Sequence, residues 1–310
     1  MDSESSTPIE LESHHTIGHD GTRIHFEVVG KGERTVILAC GVGARLYSWE
    51  PLVESLRNDF KIVSWDYRGF FGSACPESTQ MAIRDHALDA LRVLDAINVT
   101  SAAWVGWSMG VQVALEASAI DPKRVAGLVL INGTWGQIFS QAWQPPGMQI
   151  RALAQFEHKL VEWLRNNPTA ARTVASLITH CTSVPVGALM LLIGRRAWDL
   201  KPVLDRYVSD ATSPEWYATY LRHLQELDAS SCYHHLPNIS VPTIVINGQM
   251  DILTPWWIAR ELANRIPNSE TLTIRKGTHF VLLEHKDIVV PAISNFLRHK
   301  VQFNTTPTGP

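Results

Sequence analysis

Apolar residues in this chain cluster in short runs separated by longer stretches of helical period. Arg23 to Val29 alternates apolar and polar positions as a half-buried strand does, after a turn at Asp20-Gly21. Thr35 to Cys40, Lys61 to Trp65, Ala102 to Val105, Val125 to Ile131, Thr243 to Ile246 and Thr271 to Ile274 are apolar, enriched in β-branched residues and the length of buried parallel strands. The spacers Trp49 to Leu56, Met81 to Ile97, Val111 to Ile120, Trp256 to Arg265 and Ile288 to Leu297 read as helices. In the second of them Ile83, Ala87, Leu91 and Leu94 fall on one side. Strand and helix in alternation predict an α/β fold: a mostly parallel sheet covered on both faces.

One interval breaks this rhythm. From Thr134 to about Leu236 no strand stands out, and helical stretches run over Ile150 to Leu164, Ala171 to Cys181 and Pro214 to Leu227, the last with Ser213 and Pro214 as start signals. The expected organisation is a loose N-terminal tail (1–16), a first core segment (17–133), a helical insertion (134–236), a second core segment (237–303) and a loose C-terminal tail (304–310). Trp135, Trp143, Trp163, Trp198 and Trp216 lie in the insertion, where most should pack the helices together and a minority line an apolar pocket.

Composition narrows the classes. At 310 residues, 45% of them hydrophobic, one large core is affordable. A formal net charge of −3 lacks the basic excess that nucleic acid or an anionic membrane selects, so neither is an expected partner. Cys40, Cys75, Cys181 and Cys232 lack the spacing of a zinc site or a disulfide framework, so a reducing compartment is expected. Met1 to Glu12 does not have the basic and apolar regions of a signal peptide. The run Val184 to Ile193 is interrupted by Pro185 and Gly187 and falls short of the ~20 residues that span a bilayer. These features predict a soluble, cytoplasmic protein, with oligomeric state left open.

The chemistry centres on Gly106-Trp107-Ser108-Met109-Gly110, set between an apolar strand and a helix. A Gly-x-Ser-x-Gly there describes a turn so sharp that its central side chain is held up on a strained backbone. Further along stand an acid, in Ile246-Asn247-Gly248-Gln249-Met250-Asp251, and a histidine, in Lys276-Gly277-Thr278-His279-Phe280. In this order of serine, acid and histidine the chain resembles the α/β-hydrolase superfamily over roughly residues 20–300. The resemblance implies Ser108 as nucleophile, His279 as general base and Asp251 as the carboxylate that orients it, with the helical insertion as a cap. Among the other histidines, His14, His15, His19 and the pair His234-His235 read as surface or loop residues.

Some relatives carry the acid after the strand that precedes the cap, but Asn132 stands there and cannot supply a carboxylate. Glu284 reads as a structural partner of the following helix. The oxyanion donors implied are the backbone N–H of Met109 and that of Val42, in the stretch Cys40-Gly41-Val42, where the family usually has His in place of Cys40. Cys40 itself reads as a buried space-filler rather than a nucleophile. The segment Asp66 to Ser73 resembles the family's Asp-x-Arg-Gly-x-Gly-x-Ser loop with Phe71 displacing its second Gly; Asp66 and Arg68 should brace it. Phe70 and Phe71, with Gly41, Trp107, Trp135 and Phe280, are the expected substrate-binding residues.

Gly41-Val42-Gly43 followed by Asp66 imitates a dinucleotide fingerprint, but Leu46 occupies the place of its third glycine, and that reading would leave the serine, acid and histidine unexplained. The function implied is a cofactor-free, metal-free serine hydrolase acting on a small to medium, mostly apolar carboxylic ester or lactone. Alternatives on the same triad are carbon–carbon bond hydrolysis, amide or epoxide cleavage, acyl transfer or haloperoxidase-like chemistry, and, outside enzymes, a ligand-binding receptor. The Arg195-Arg196 pair could hold a substrate carboxylate but reads first as a solvated helix end.

Overall fold

Continuous apolar runs need cover on both faces, and the chain supplies it. The computed structural model describes residues 11–78, 80–141, 150–181, 196–213 and 216–303. Its strands are β1 (Leu11–Ile17), β2 (Arg23–Val29), β3 (Arg34–Ala39), β4 (Phe60–Trp65), β5 (Ala102–Trp107), β6 (Val125–Ile131), β7 (Thr243–Gly248) and β8 (Ser269–Ile274). They form one eight-stranded sheet in the order β1-β2-β4-β3-β5-β6-β7-β8. The pairs β1/β2 and β2/β4 are antiparallel, and every other pair is parallel. The central β5 and β6 are buried along their whole length, which is why they read as unbroken apolar runs instead of alternating ones.

Alternate residues of strands β2 to β7 feed two cores. Ile37, Ala39, Ala102 and Trp104 point to the side covered by α2 (Ile83–Ala96), α3 (Met109–Ile120) and, in chain order the eighth helix, α8 (Trp256–Arg265). Val36, Leu38, Ala103 and Val105 point to the side covered by α1 (Glu50–Leu56) and α10 (Lys286–His299). Each Val, Leu or Ile side chain among them, fully removed from water, contributes roughly 1.5–3 kcal/mol, so the two layers hold the sheet from both faces. Between β6 and β7 lie the cap helices α4 (Arg151–Asn166), α5 (Pro168–Cys181), α6 (Arg196–Thr212) and α7 (Tyr217–Ala229). The short helix α9 (Val281–Glu284) follows β8.

The expected N-terminal tail requires a correction. Residues 11–17 are not loose: β1 pairs along its length with β2, from Leu11 opposite Val29 to Ile17 opposite Arg23. Its sequence LESHHTI is polar because it is an edge strand exposed on both faces, so no apolar signal marks it. Helix α6 was also unmarked, since Pro202 stands inside it. The tails 1–10 and 304–310, Trp143, Val184 to Ile193, Arg195 and Pro214 lie outside the described residues, as do the side chains of Cys181 and Trp198. Among the described residues no helix is long and apolar enough to cross a membrane.

Candidate active site

Ser108 sits where β5 gives way to α3, with φ 56° and ψ −117°, a backbone region that a residue bearing a Cβ visits only under strain. Its neighbours explain how the strain is held. A Cβ on Gly106 would lie 2.4 Å from the carbonyl oxygen of Gly110, and one on Gly110 would lie 1.9 Å from that of Ala39. Strand and helix therefore cross in backbone contact, and only glycine fits at either position. The Ser108 N–H donates to the carbonyl of Ile131 at 3.0 Å, which ties the turn to β6.

The loops after β7 and β8 carry the acid and the histidine and are also locked together. Met250 N–H donates to the Gly277 carbonyl at 2.9 Å, and a Cβ on Gly248 would stand 2.3 Å from that same oxygen. Within this frame Asp251 Oδ2 lies 2.8 Å from His279 Nδ1. Asp251 is buried and heavily bonded: Oδ1 accepts from the N–H groups of Leu253 at 2.8 Å and Thr254 at 2.9 Å, and Oδ2 accepts from Thr254 Oγ1 at 2.7 Å and from Asn132 Nδ2. Burial raises the Asp251 carboxyl, but the charge and hydrogen bond of His279 and the bonds from Thr254 outweigh it, so its pKa ends below the usual carboxylate value. The carboxylate is thus ionised and fixed, and it engages the histidine at Nδ1, leaving Nε2 as the nitrogen for proton transfer.

Asn132 occupies the alternative position for the acid, at the end of β6 with φ 44°, and it donates to Asp251 rather than replacing it. Glu284 braces the histidine loop: it accepts from Thr278 N–H at 2.7 Å and from the Thr278 hydroxyl. Trp107 Nε1 donates to the His279 carbonyl at 3.0 Å, and its ring packs edge-on against Phe280 at 5.7 Å.

Met109 opens α3, so its N–H is among those that a helix start leaves without an intrahelical acceptor. On the facing loop the Gly41 carbonyl accepts from Ala44 N–H at 3.0 Å. In a trans peptide C=O and N–H point opposite ways, so this bond turns the Val42 N–H away from the tight turn. A Cβ on Gly41 would be 3.4 Å from Ser108 Cβ, so this peptide lies beside the serine. Cys40 is buried, accepts from Trp49 Nε1 at 3.1 Å and has its thiol pushed up to about 11 by burial, which leaves it without thiolate character at neutral pH.

Ser108 and His279 open on a cavity of about 410 Å³ whose wall is mostly apolar. Of the expected substrate-binding residues, Gly41, Trp107 and Phe280 line it, as does Val42. Phe70, Phe71 and Trp135 are not on its wall, and the reason is packing. Phe70 and Phe71 stack on each other at 5.6 Å and against Trp216, and Trp135 packs on Tyr233 at 5.2 Å. Asp66 is bonded by His25 at 2.8 Å and Arg45 at 3.0 Å, and the fully buried Arg68 is bonded by Asp89 at 2.7 Å and Asp20 at 2.9 Å. Both brace the loop, and Asp66 is not free to hold a ribose.

The family model described as alpha/beta hydrolase fold matches residues 34–286. The chain belongs to the α/β-hydrolase family. Within this family it is 24% identical over 283 residues to a pimeloyl-[acyl-carrier protein] methyl ester esterase of Aliivibrio salmonicida, covering 91% of this chain and 98% of the relative. It is 25% identical over 280 residues to the Karrikin insensitive 2 receptor CA of Petunia hybrida, covering 89% and 96%. The structure of an esterase from Exiguobacterium antarcticum superposes with a TM-score of 0.73 at 20% identity, covering 92% of this chain and 98% of that one. As an α/β-hydrolase the chain is an enzyme of the hydrolase type.

The cap side of the cavity was not anticipated. Phe139, Glu157, Val161, Tyr207, Tyr220 and Leu227 stand on its wall. Helical periodicity shows that a residue shares a face with its neighbours, but not which face turns toward the sheet, so no sequence signal singled these out.

Proposed function

We propose that Ser108, His279 and Asp251 act as a catalytic triad that cleaves a small to medium, mostly apolar carboxylic ester or lactone through an acyl-enzyme. The observation that carries this reading is the 2.8 Å contact between buried Asp251 and His279 Nδ1 on the same cavity wall as the strained Ser108. His279 takes the Ser108 proton as the hydroxyl attacks the acyl carbon, and Asp251 stabilises the imidazolium that forms. The N–H groups of Met109 and Val42 receive the charge that develops on the carbonyl oxygen. The proton then passes to the leaving alcohol, and a water activated by His279 releases the acid. The apolar wall favours an uncharged acyl or alcohol group over a multiply charged one.

The test is intact mass after treatment with a fluorophosphonate, run on the protein beside Ser108→Ala and His279→Ala. A single adduct on the protein, absent from the first variant and strongly reduced in the second, is the expected result. No adduct on the unaltered protein would overturn the acyl-enzyme mechanism and favour a ligand-binding role on the same cavity.

A further inference from the structure

Glu157, on the first cap helix α4, stands on the cavity wall with Ser108 and His279. Its Oε2 is buried and has no hydrogen-bond partner among the described residues. Around it the wall is made by apolar groups such as Leu160, Val161 and Phe139, and among the described lining residues Glu157 is the one carboxylic acid. Among the described residues the charge that acts on it is of its own sign: Asp228 on α7, which accepts from Phe139 N–H at 2.8 Å and faces His158 at 3.8 Å. Burial first, and the charge of Asp228 second, push the Glu157 carboxyl up to about 7. A buried carboxyl oxygen without a donor is a standing cost, which is removed when the side chain turns that oxygen onto a ligand donor in the cavity.

We propose that Glu157 is a specificity-determining residue that selects substrates whose tail ends in a hydrogen-bond donor, an ammonium first and a hydroxyl second. The assignment deepens the ester-hydrolase reading and rests on it for the reaction, though not for binding. An ammonium satisfies the Glu157 oxygen and offsets the repulsion from Asp228. A hydroxyl satisfies the oxygen alone, a methyl leaves it as it is, and a carboxylate adds a third like charge.

The test uses matched esters of equal length, graded from butanoyl to octanoyl, ending in ammonium, hydroxyl, methyl or carboxylate, with the variable tail placed on the acyl side in one series and on the alcohol side in another. With the unaltered protein kcat/KM should fall in that order in at least one series. In Glu157→Gln the ratio of kcat/KM for the ammonium tail to that for the methyl tail should drop by about tenfold or more. Calorimetric binding of the same ammonium-tailed and methyl-tailed esters to Ser108→Ala, with and without Glu157→Gln, reads the contact without turnover. Tighter binding of the ammonium tail that Glu157→Gln abolishes supports the proposal even if no ester is hydrolysed, in which case the triad reading alone fails. Methyl tails preferred in both measurements, with the order unchanged in Glu157→Gln, would overturn it.

Discussion

A carboxylate removed from water must be compensated on both oxygens, and at Asp251 four donors from three residues do so before the histidine is counted. The arrangement separates two roles that a sequence cannot distinguish. The N–H groups of Leu253 and Thr254 fix the carboxylate in place, while Thr254 Oγ1 and Asn132 Nδ2 share with His279 the oxygen that orients the ring. Replacing Asp251 by Asn keeps the shape but presents the histidine with an amide that can stabilise the wrong tautomer, so kcat on an activated ester should fall by about 10³–10⁴. Thr254→Val removes one of several donors to an acid that keeps its charge, and should cost about tenfold or less. Far-ultraviolet circular dichroism checks that both variants are folded. Equal losses in the two would mean that the hydroxyl, and not the carboxylate, holds the ring.

At the scale of elements, the cap touches the loop of the proposed oxyanion donor Val42 through Tyr207 of α6, whose hydroxyl donates to the Val42 carbonyl at 3.0 Å and meets the Tyr220 hydroxyl of α7 at 3.0 Å. The peptide after Val42 is thereby pinned from above, while the peptide before it is pinned by Ala44. Tyr207→Phe should lower kcat for a short acyl ester about threefold to tenfold, leave KM nearly unchanged and shift stability by no more than about 1 kcal/mol. A change confined to KM would show that Tyr207 only shapes the cavity. What was legible in the sequence follows from the same division. The central parallel strands announced themselves because burial on both faces demands continuous apolar runs, and the elbow because a Cβ on Gly106 or Gly110 would come within 2.4 or 1.9 Å of backbone oxygen. Asp251 and His279 were readable from the loops after β7 and β8. Edge strand β1, with no face to bury, left no trace, and the Pro202-bearing α6 hid the tyrosine that reaches the Val42 loop. Phe70 and Phe71 misled because an aromatic beside a catalytic loop can face a pocket or, as here, anchor the cap by packing on Trp216 and His223.

For the molecule as a whole, the seam between sheet and cap has a chemistry of its own. His86 of α2 and His223 of α7 stack with ring centroids 4.8 Å apart, and both lie against Tyr67 of the Asp66 loop. Burial first pushes the His223 ring down to about 4, with Arg222 and Arg68 adding to it; burial, His223 and Arg68 push His86 well below its ordinary value. Both rings are therefore neutral in the folded protein under conditions in which the unfolded chain, titrating near 6.5, takes up protons. With folded values depressed, the stability is fully present above pH 6.5 and is lost as pH falls toward the folded values. Each ring should cost roughly 1.4 kcal/mol per pH unit across that window. Because one ring belongs to the core and the other to the cap, acid should loosen the cap first. The measurement is the urea midpoint from pH 7.5 down to pH 5, in the protein and in a His86→Leu, His223→Leu double variant, followed by tryptophan fluorescence. The double variant should show a slope shallower by about two protons' worth. An identical slope in both would place the acid sensitivity elsewhere and would leave the seam as inert packing.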